Sequence, residues 1–157
     1  KPLTTLVSSH FHFDHSTGLR AAVAEGLRVI THEGNVAFYE EAVNRAHTLA
    51  PDALARNPRP LGIEGVGDSR VIEDGTRRLE LYHITGNPHG DTLLMAYLPR
   101  ERVLVQVDAF SPGSAVHPYA ANLLDQVRDR KLRVDRIVSL HGPIAPFTEL
   151  VKAVPAS

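Results

Sequence analysis

The chain has 157 residues, which is enough for one domain with one sizeable hydrophobic core. Hydrophobic residues make up 43% and charged residues 22%, and the net charge of −1 gives no general attraction to nucleic acid or to an anionic membrane. The absence of cysteine excludes a disulfide framework, a thiolate zinc site and a cysteine nucleophile, but it does not choose between cytoplasm and periplasm. No apolar run approaches the roughly 20 residues that span a bilayer. From this and from the net charge, we expect neither a membrane nor nucleic acid as a partner.

The first part of the chain alternates predicted strands with a predicted helix. Apolar runs predict strands over residues 5–8 and 27–31, and a polar loop over residues 10–18 follows the first strand. Apolar residues spaced over 19–23 mark one face of a short helix, and Gly26 is placed to end it.

A second helix and a long loop follow. Asn35 is placed to cap the helix, whose apolar face consists of Val36, Tyr39, Val43 and Ala46. Residues 50–67 carry three prolines and three glycines, which predicts a long loop that crosses between two halves of one domain.

The second part of the chain predicts more strands. The Asp-Gly pair at 74–75 is a hairpin signal between strands over residues 70–73 and 77–84. Two strongly apolar strands are predicted over residues 93–98 and 102–107, and we expect the second to be buried on both faces. The remaining predicted elements are a helix over 119–127, a strand over 137–140 and a final helix over 147–154. This mixture favours a sheet packed between helical layers.

A compact cluster of potential metal ligands follows the first strand. His10, His12, Asp14 and His15 lie within six residues. In an extended segment side chains alternate, so the side chains of His10, His12 and Asp14 are predicted to point the same way. Imidazole and carboxylate together favour zinc, iron or manganese over calcium.

Three further candidates stand where predicted strands end. His89 follows the hairpin strand in a Gly-Asn-Pro-His-Gly segment, Asp108 closes the apolar strand over 102–107, and His141 closes the strand over 137–140. Each residue alone is a common turn residue. Together with the first cluster, and in this order, they predict one site at the edge of the core.

The pattern His-x-His-x-Asp-His, followed by a later His, an Asp and a His, resembles the metallo-β-lactamase superfamily over about residues 3–141. The resemblance implies an α/β (α+β) fold, a four-layer αββα sandwich, with two metals at the sheet edge and hydrolysis by a metal-bound hydroxide. It implies that Asp14 also orients the hydroxide and takes part in proton transfer. The implied ligands are His10, His12 and His89 for one metal, Asp14, His15 and His141 for the second, and Asp108 as the bridge between them.

Two departures from the superfamily pattern bear on the fold. Residues 16–18 are Ser-Thr-Gly, which keeps one glycine where many relatives have two. Relatives also have several strands before the first motif, and this chain has only a few residues there. We therefore expect residues 1–157 to form a single metallo-β-lactamase-like domain that lacks part of its N-terminal sheet.

The function implied first is a dinuclear zinc hydrolase that cleaves a small ester, lactone, thioester or amide, as lactonases and glyoxalase II do. Zinc β-lactamases usually lack an aspartate at the position of Asp108, which disfavours a β-lactam substrate.

The alternatives are a mononuclear iron oxidoreductase that resembles the sulfur dioxygenases, or a non-catalytic fragment. Flavodiiron proteins usually have Glu where this chain has His12. The charge and the spacing of the ligands leave no room for a nuclease insertion. A small-molecule substrate is the expected partner, and a homo-oligomer is left open.

Several neighbouring residues have two interpretations. Asp91, two residues after His89, is either a support for that imidazole or a plain turn residue. Tyr119 is a candidate oxyanion donor, although its helical spacing favours the core. Phe11 and Phe13 are predicted to pack beneath the ligand loop, with Phe11 as an alternative pocket wall. His32, His47, His83 and His117 are interpreted as structural or solvent-facing, with His117 the most apt to border the pocket.

Overall fold

Two β-sheets are present in residues 2–155, the part of the chain that the computed structural model describes. The chain divides into two units, and each has its own sheet and its own cluster of buried apolar side chains. Unit 1 ends at Gly67 and unit 2 begins at Asp68. The predicted mixture of strands and helices is confirmed, while the single-domain organisation stays a prediction. None of the helices in residues 2–155 combines the length and the apolar composition that a membrane span requires.

Unit 1 is built on three parallel strands in the order β1-β2-β3. Its elements are β1 (Thr5–Val7), α1 (Phe13–Ser16), α2 (Leu19–Ala24), β2 (Arg28–His32), a 3-10 turn (Glu33–Asn35), α3 (Val36–Asn44), α4 (Ala53–Arg56) and β3 (Ile63–Val66). Parallel neighbours need a crossover connection, which α2 supplies before β2 and the helices α3 and α4 supply before β3. Val29 and Ile30 of the central strand are buried, which explains its apolar sequence.

The predicted loop over residues 50–67 is wrong in two places. Residues Ala53–Arg56 form α4. Residues Ile63–Val66 form β3, which pairs with the central strand so that Ile63 lies beside Val29 and Val66 beside His32. Gly65 fits there because a Cβ at that position would lie 3.0 Å from the backbone of Glu33. The glycines that indicated a loop therefore permit close packing within a strand.

Asn35 occupies the N-cap position of α3 as predicted, but its side chain does not cap the helix. The amide of Asn35 donates to the hydroxyl of Thr31 at 3.0 Å and makes no cap hydrogen bond. The ring of His32 instead accepts from the backbone N–H of Gly34 and starts the 3-10 turn. Asn35 is buried, so its side chain lies in the interior of unit 1 rather than at the exposed end of the helix.

Arg20 on α2 joins that helix to α3 and α4. Its guanidinium donates to both carboxylate oxygens of Asp52, at 2.6 and 2.9 Å, and to three backbone carbonyls at the end of α3. Asp52 in turn caps α4 by accepting from the N–H of Ala55 at 2.8 Å. The hydrogen bonds from Arg20 hold the pKa of Asp52 well below its usual range, so the ion pair is fully charged near neutral pH.

We expect Arg20→Leu to lower the free energy of unfolding by about 2–3 kcal/mol, because it leaves several carbonyls of α3 and the carboxylate of Asp52 without their hydrogen-bond donor. Urea denaturation followed by circular dichroism measures the change. The control is Arg128→Leu, which removes the partner of Asp125 from an ion pair that is exposed on both sides, and it should change stability by at most about 1 kcal/mol. Equal effects of the two substitutions would contradict a special role for Arg20.

Unit 2 is built on a six-stranded sheet in the order β4-β5-β6-β7-β8-β9, in which only β7 and β8 are parallel. Its elements are β4 (Ser69–Glu73), β5 (Arg78–His83), β6 (Leu94–Leu98), β7 (Val103–Gln106), α5 (Ala120–Asp129), β8 (Arg136–Ser139), β9 (Ala145–Pro146) and α6 (Phe147–Ala153). Leu123, Leu124 and Val127 of α5 belong to the same buried cluster as Leu104 of β7 and Ile137 of β8. The helix α5 therefore covers the central strands of the sheet.

The hairpin predicted at the Asp-Gly pair is confirmed. Gly75 adopts a φ of +79°, which is accessible to glycine, and Asp74 accepts from the backbone N–H groups of Thr76 and Arg77. Strand β7 is only partly as predicted, because Leu104 is buried whereas Val105 is half-buried. Its apolar sequence reflects its interior place in the sheet, between β6 and β8.

Candidate metal centre

The predicted ligands fall into two sets, and each set lies within one unit. The first ligand set is His10, His12, Asp14 and His15 in unit 1. The second ligand set is His89, Asp108 and His141 in unit 2. The sharing of two metal ions between the sets stays a prediction.

The first ligand set is gathered by a turn of helix directly after β1. The ring of His10 lies 4.4 Å from that of His12 and 4.8 Å from that of His15, measured between centroids. Residues Phe13–Ser16 form α1, so the predicted polar loop contains a helical turn and the extended alternation does not reach Asp14. The turn instead brings His15 Nε2 to 3.3 Å from Asp14 Oδ2.

A buried tyrosine fixes the backbone that carries the first ligand set. Tyr39 of α3 is fully buried, and its hydroxyl donates to the carbonyl of His10 at 2.9 Å and lies 2.6 Å from the hydroxyl of Ser8. Burial raises the pKa of Tyr39 above its usual value, so the hydroxyl keeps its proton and stays a donor. His10 is itself fully buried, with Nδ1 at 3.1 Å from the hydroxyl of Ser9. When Nδ1 donates to Ser9, the lone pair is on Nε2, the form that binds a metal.

In the second ligand set, one carboxylate faces two imidazoles. His89 Nε2 lies 3.0 Å from Asp108 Oδ2, and His141 Nε2 lies 3.2 Å from Asp108 Oδ1. Each oxygen of Asp108 is thus directed at a different histidine. That is the arrangement expected of a carboxylate that supplies one oxygen to each of two neighbouring cations.

The spacing between donor atoms fits divalent metal ions. Two ligand atoms about 2.1 Å from a tetrahedral zinc ion are about 3.4 Å apart. Three nitrogen-to-oxygen separations, each between ligands of one unit, are 3.0, 3.2 and 3.3 Å. Charge-assisted hydrogen bonds are shorter, about 2.7–2.9 Å. Both the donor types and their spacing therefore suit zinc or iron.

Gln106 holds the loop that carries Asp108. Its buried amide accepts from the N–H of Phe110 at 3.0 Å and donates to the carbonyl of Phe110 at 2.6 Å. The hydroxyl of Ser139, on the neighbouring strand, donates to the same carbonyl at 2.9 Å. The chain between Gln106 and Phe110 is therefore closed at both ends, which fixes where the carboxylate of Asp108 points.

We expect Gln106→Leu to lower the free energy of unfolding by about 2 kcal/mol and to weaken zinc binding about tenfold, because it releases the Asp108 loop. Competition with a chelating dye measures the affinity. The control is Tyr97→Phe, which removes a part-buried hydrogen bond to the carbonyl of Arg133 in the same unit. Tyr97→Phe should destabilise the fold without changing zinc affinity, and an equal loss of affinity would contradict the role given to Gln106.

The loop that carries His89 is tied to α5. The buried side chain of Asn87 accepts from the N–H of His89 and donates to Asn122, both at 2.9 Å. Asn122 donates in turn to the carbonyl of Thr85 at 2.9 Å. Gly86 between them has a φ of +65°, so the turn favours glycine.

The structure also places the residues that had two interpretations. The ring of Tyr119 is half-buried and lies edge-on to that of His89, 5.5 Å between centroids, so its assignment to the core is wrong. Phe13 is 78% exposed and does not pack beneath the loop, and Phe11 lies against Phe38 at the surface. Asp91 is exposed, and its carbonyl lies 2.7 Å from the ring of His83.

The other three histidines have separate surroundings. The ring of His117 packs on Phe110, 4.9 Å between centroids, in the segment that follows Asp108. His32 caps the 3-10 turn, and His47 lies at the surface with Nδ1 4.0 Å from Asp52.

Sequence reasoning missed the residues that position the ligands, which are Tyr39, Gln106, Asn87, Asn122 and Ser139. Gln106 had a usable signal, since it is a polar residue at the end of an apolar strand. Tyr39 had none, because its spacing on α3 is that of any core residue.

Comparison with known proteins identifies the fold. No family model matches the chain, and no curated protein matches it significantly. Among solved structures, a metallo-β-lactamase from Pontibacter korlensis is 20% identical, with a TM-score of 0.63, over 96% of this chain and 67% of that one. An archaeal metallo-β-lactamase superfamily protein from Sulfolobus tokodaii is 15% identical, with a TM-score of 0.65, over 97% of this chain and 66% of that one. Rubredoxin:oxygen oxidoreductase from Desulfovibrio gigas is 17% identical, with a TM-score of 0.66, over 96% of this chain and 42% of that one.

These matches confirm the fold that the sequence motif predicted. The chain has the metallo-β-lactamase fold, and it spans about two thirds of the length of the first two structures. Proteins that share the fold at this level of identity include β-lactamases and an oxidoreductase, so the fold leaves the reaction open.

Proposed function

We propose that this chain, with its metallo-β-lactamase fold, is a metal-dependent hydrolase that uses a dinuclear zinc site. The observation that carries the proposal is the Asp108 carboxylate, with one imidazole nitrogen within 3.2 Å of each of its oxygens. The proposed ligands are His10, His12 and His89 for one ion, Asp14, His15 and His141 for the other, and Asp108 as the bridge.

The proposed roles follow from the chemistry of these side chains. Zinc ions, when bound, would lower the pKa of a coordinated water toward about 7 and polarise the bond to be cleaved. The carboxylate of Asp108 offsets the repulsion between two cations. Asp14, with 45% of its side chain exposed, is the proposed group that orients the attacking oxygen and accepts its proton. Tyr119, whose ring lies edge-on to that of His89, is proposed to face the substrate.

The proposed substrate is a small molecule with an ester, lactone, thioester or amide bond. A net charge of −1 offers no general attraction for a polyanion such as nucleic acid. An aspartate at position 108 supports lactonase-like or glyoxalase II-like chemistry over β-lactam hydrolysis, since zinc β-lactamases usually lack it.

The second candidate is an iron oxidoreductase. The likeness to the rubredoxin:oxygen oxidoreductase of Desulfovibrio gigas supports it, and histidine with carboxylate binds iron as well as zinc. The histidine at position 12 argues against a flavodiiron site, so a mononuclear iron enzyme that resembles the sulfur dioxygenases is the preferred form of this alternative.

A hydrolysis screen tests the proposal. The zinc-loaded chain is assayed against a lactone, a thioester, a β-lactam and a phosphodiester, each with and without a chelator. Turnover of one substrate class that the chelator abolishes would support the hydrolase and name its substrate class. Bound metal without turnover of any of the four would overturn it in favour of the iron oxidoreductase or a non-catalytic protein, and analysis of the metal bound during expression separates those two.

A further inference from the structure

A cavity of about 410 Å³ opens in unit 1, away from the first ligand set. It lies between the end of α3, the helix α4 and the segment that follows α4. Its lining includes Arg20, Arg45, His47 and Arg59, together with Val43, Ala46 and Leu54. None of the residues of the first ligand set contributes to it, and its volume is that of a small-molecule site.

The charge of this cavity is positive. Three arginines and one histidine line it, and no carboxylate side chain does. Arg20 is neutralised by Asp52, and Arg45 is 70% exposed with Glu41 as its partner. Arg59 also lines the cavity and makes no ion pair with a carboxylate among residues 2–155. An anionic group is the ligand chemistry that this lining attracts.

The rest of the lining is apolar. Val43 and Leu54 are buried at 7% and 5% exposure, and Pro51, Ala55 and Pro58 add further apolar surface. A hydrated ion such as free phosphate would leave this surface unused. A ligand with an apolar body and one anionic head would cover the apolar lining and meet the arginines at once.

The walls are fixed before any ligand arrives. Arg20 binds the last carbonyls of α3 and the carboxylate of Asp52, and Asp52 caps α4. The two helices that border the cavity are therefore joined by charged hydrogen bonds, so binding requires little ordering of the protein.

We propose that this cavity binds a small monocarboxylate with an apolar chain or ring, held by Arg59 and Arg45 at its carboxylate. The site is independent of the metal centre and of the proposed hydrolase activity. Its ligand is recognised by charge and by apolar area together.

The test is a titration of the chain with octanoate, followed by ligand-observed and amide NMR, and repeated with octanamide as the uncharged isostere. We expect saturable one-to-one binding of octanoate, with octanamide at least about tenfold weaker. Arg59→Gln and Arg45→Gln should each weaken octanoate binding about tenfold, and Ala46→Trp should abolish it by filling the cavity. Arg136→Gln, an exposed arginine of unit 2, is the matched control and should leave binding unchanged.

Three results would overturn the proposal. Equal binding of octanoate and octanamide would show that the site does not recognise the charge of the ligand. Unchanged binding in both Arg59→Gln and Arg45→Gln would show that these arginines do not bind the carboxylate. Loss of octanoate binding on addition of a chelator would place the carboxylate on the metal ions instead. Binding that persists with the chelator and fails in Ala46→Trp supports the cavity, whether or not the chain hydrolyses anything.

Discussion

We expect replacement of Asp108 with alanine to lower bound zinc from the proposed two ions per chain toward one and to reduce the proposed hydrolase turnover at least about 100-fold. The physical reason is that Asp108 presents one oxygen to His89 and the other to His141, at 3.0 and 3.2 Å. Its removal deletes the negative charge that would allow the two proposed cations to lie close together. Elemental analysis after gel filtration gives the metal content, and the substrate found by the hydrolysis screen gives the turnover.

The matched control for this substitution is Asp125→Ala. Asp125 lies on α5 in the same unit, and its exposed side chain is 4.0 Å from Arg128. Its loss should leave both metal content and turnover at the level of the unaltered chain. A stoichiometry in Asp108→Ala equal to that of the control would refute the bridging role and would leave Asp108 at most a ligand of one ion.

The sequence predicts most strands of the fold because their signals are local. Apolar runs give β1 and β2 within one residue, and the Asp-Gly pair gives the hairpin of β4 and β5. Strand β3 is not predicted because it contains Gly65, which indicates a loop. The glycine is needed there because a larger residue would collide with Glu33, which is far away in the sequence. Strand β9 has only two residues and exists through its pairing with β8, which no local pattern contains.

The site divides in the same way between local and distant information. The ligands of unit 1 are recognisable because four of them lie within six residues, and those of unit 2 because each follows a strand. The groups that aim them are distant partners, such as Tyr39, which binds the carbonyl of His10 from 29 residues away. Gln106 is an exception, since both its bonds reach only four residues ahead. A polar residue that ends an apolar strand just before a ligand is therefore a signal that could be used.

Replacing Asp14 with asparagine will separate the binding of metal from the movement of the proton. Asparagine keeps an oxygen that can ligate but cannot accept a proton at neutral pH. We expect metal content to fall less than in Asp108→Ala, while turnover falls by about 10²- to 10⁴-fold, the usual contribution of a general base. Metal analysis and turnover in excess zinc are the two measurements.

The outcome in excess zinc decides between the two roles of Asp14. Its side chain is 45% exposed and lies 3.3 Å from His15, so it has access both to a metal ligand and to solvent. If added zinc restores turnover, Asp14 acts only as a ligand and the proton goes elsewhere. If metal content is restored and turnover is not, the carboxylate itself is needed for the chemistry. Glu40→Gln, which neutralises an exposed carboxylate on α3, is the control and should change neither quantity, because no predicted ligand lies on that helix.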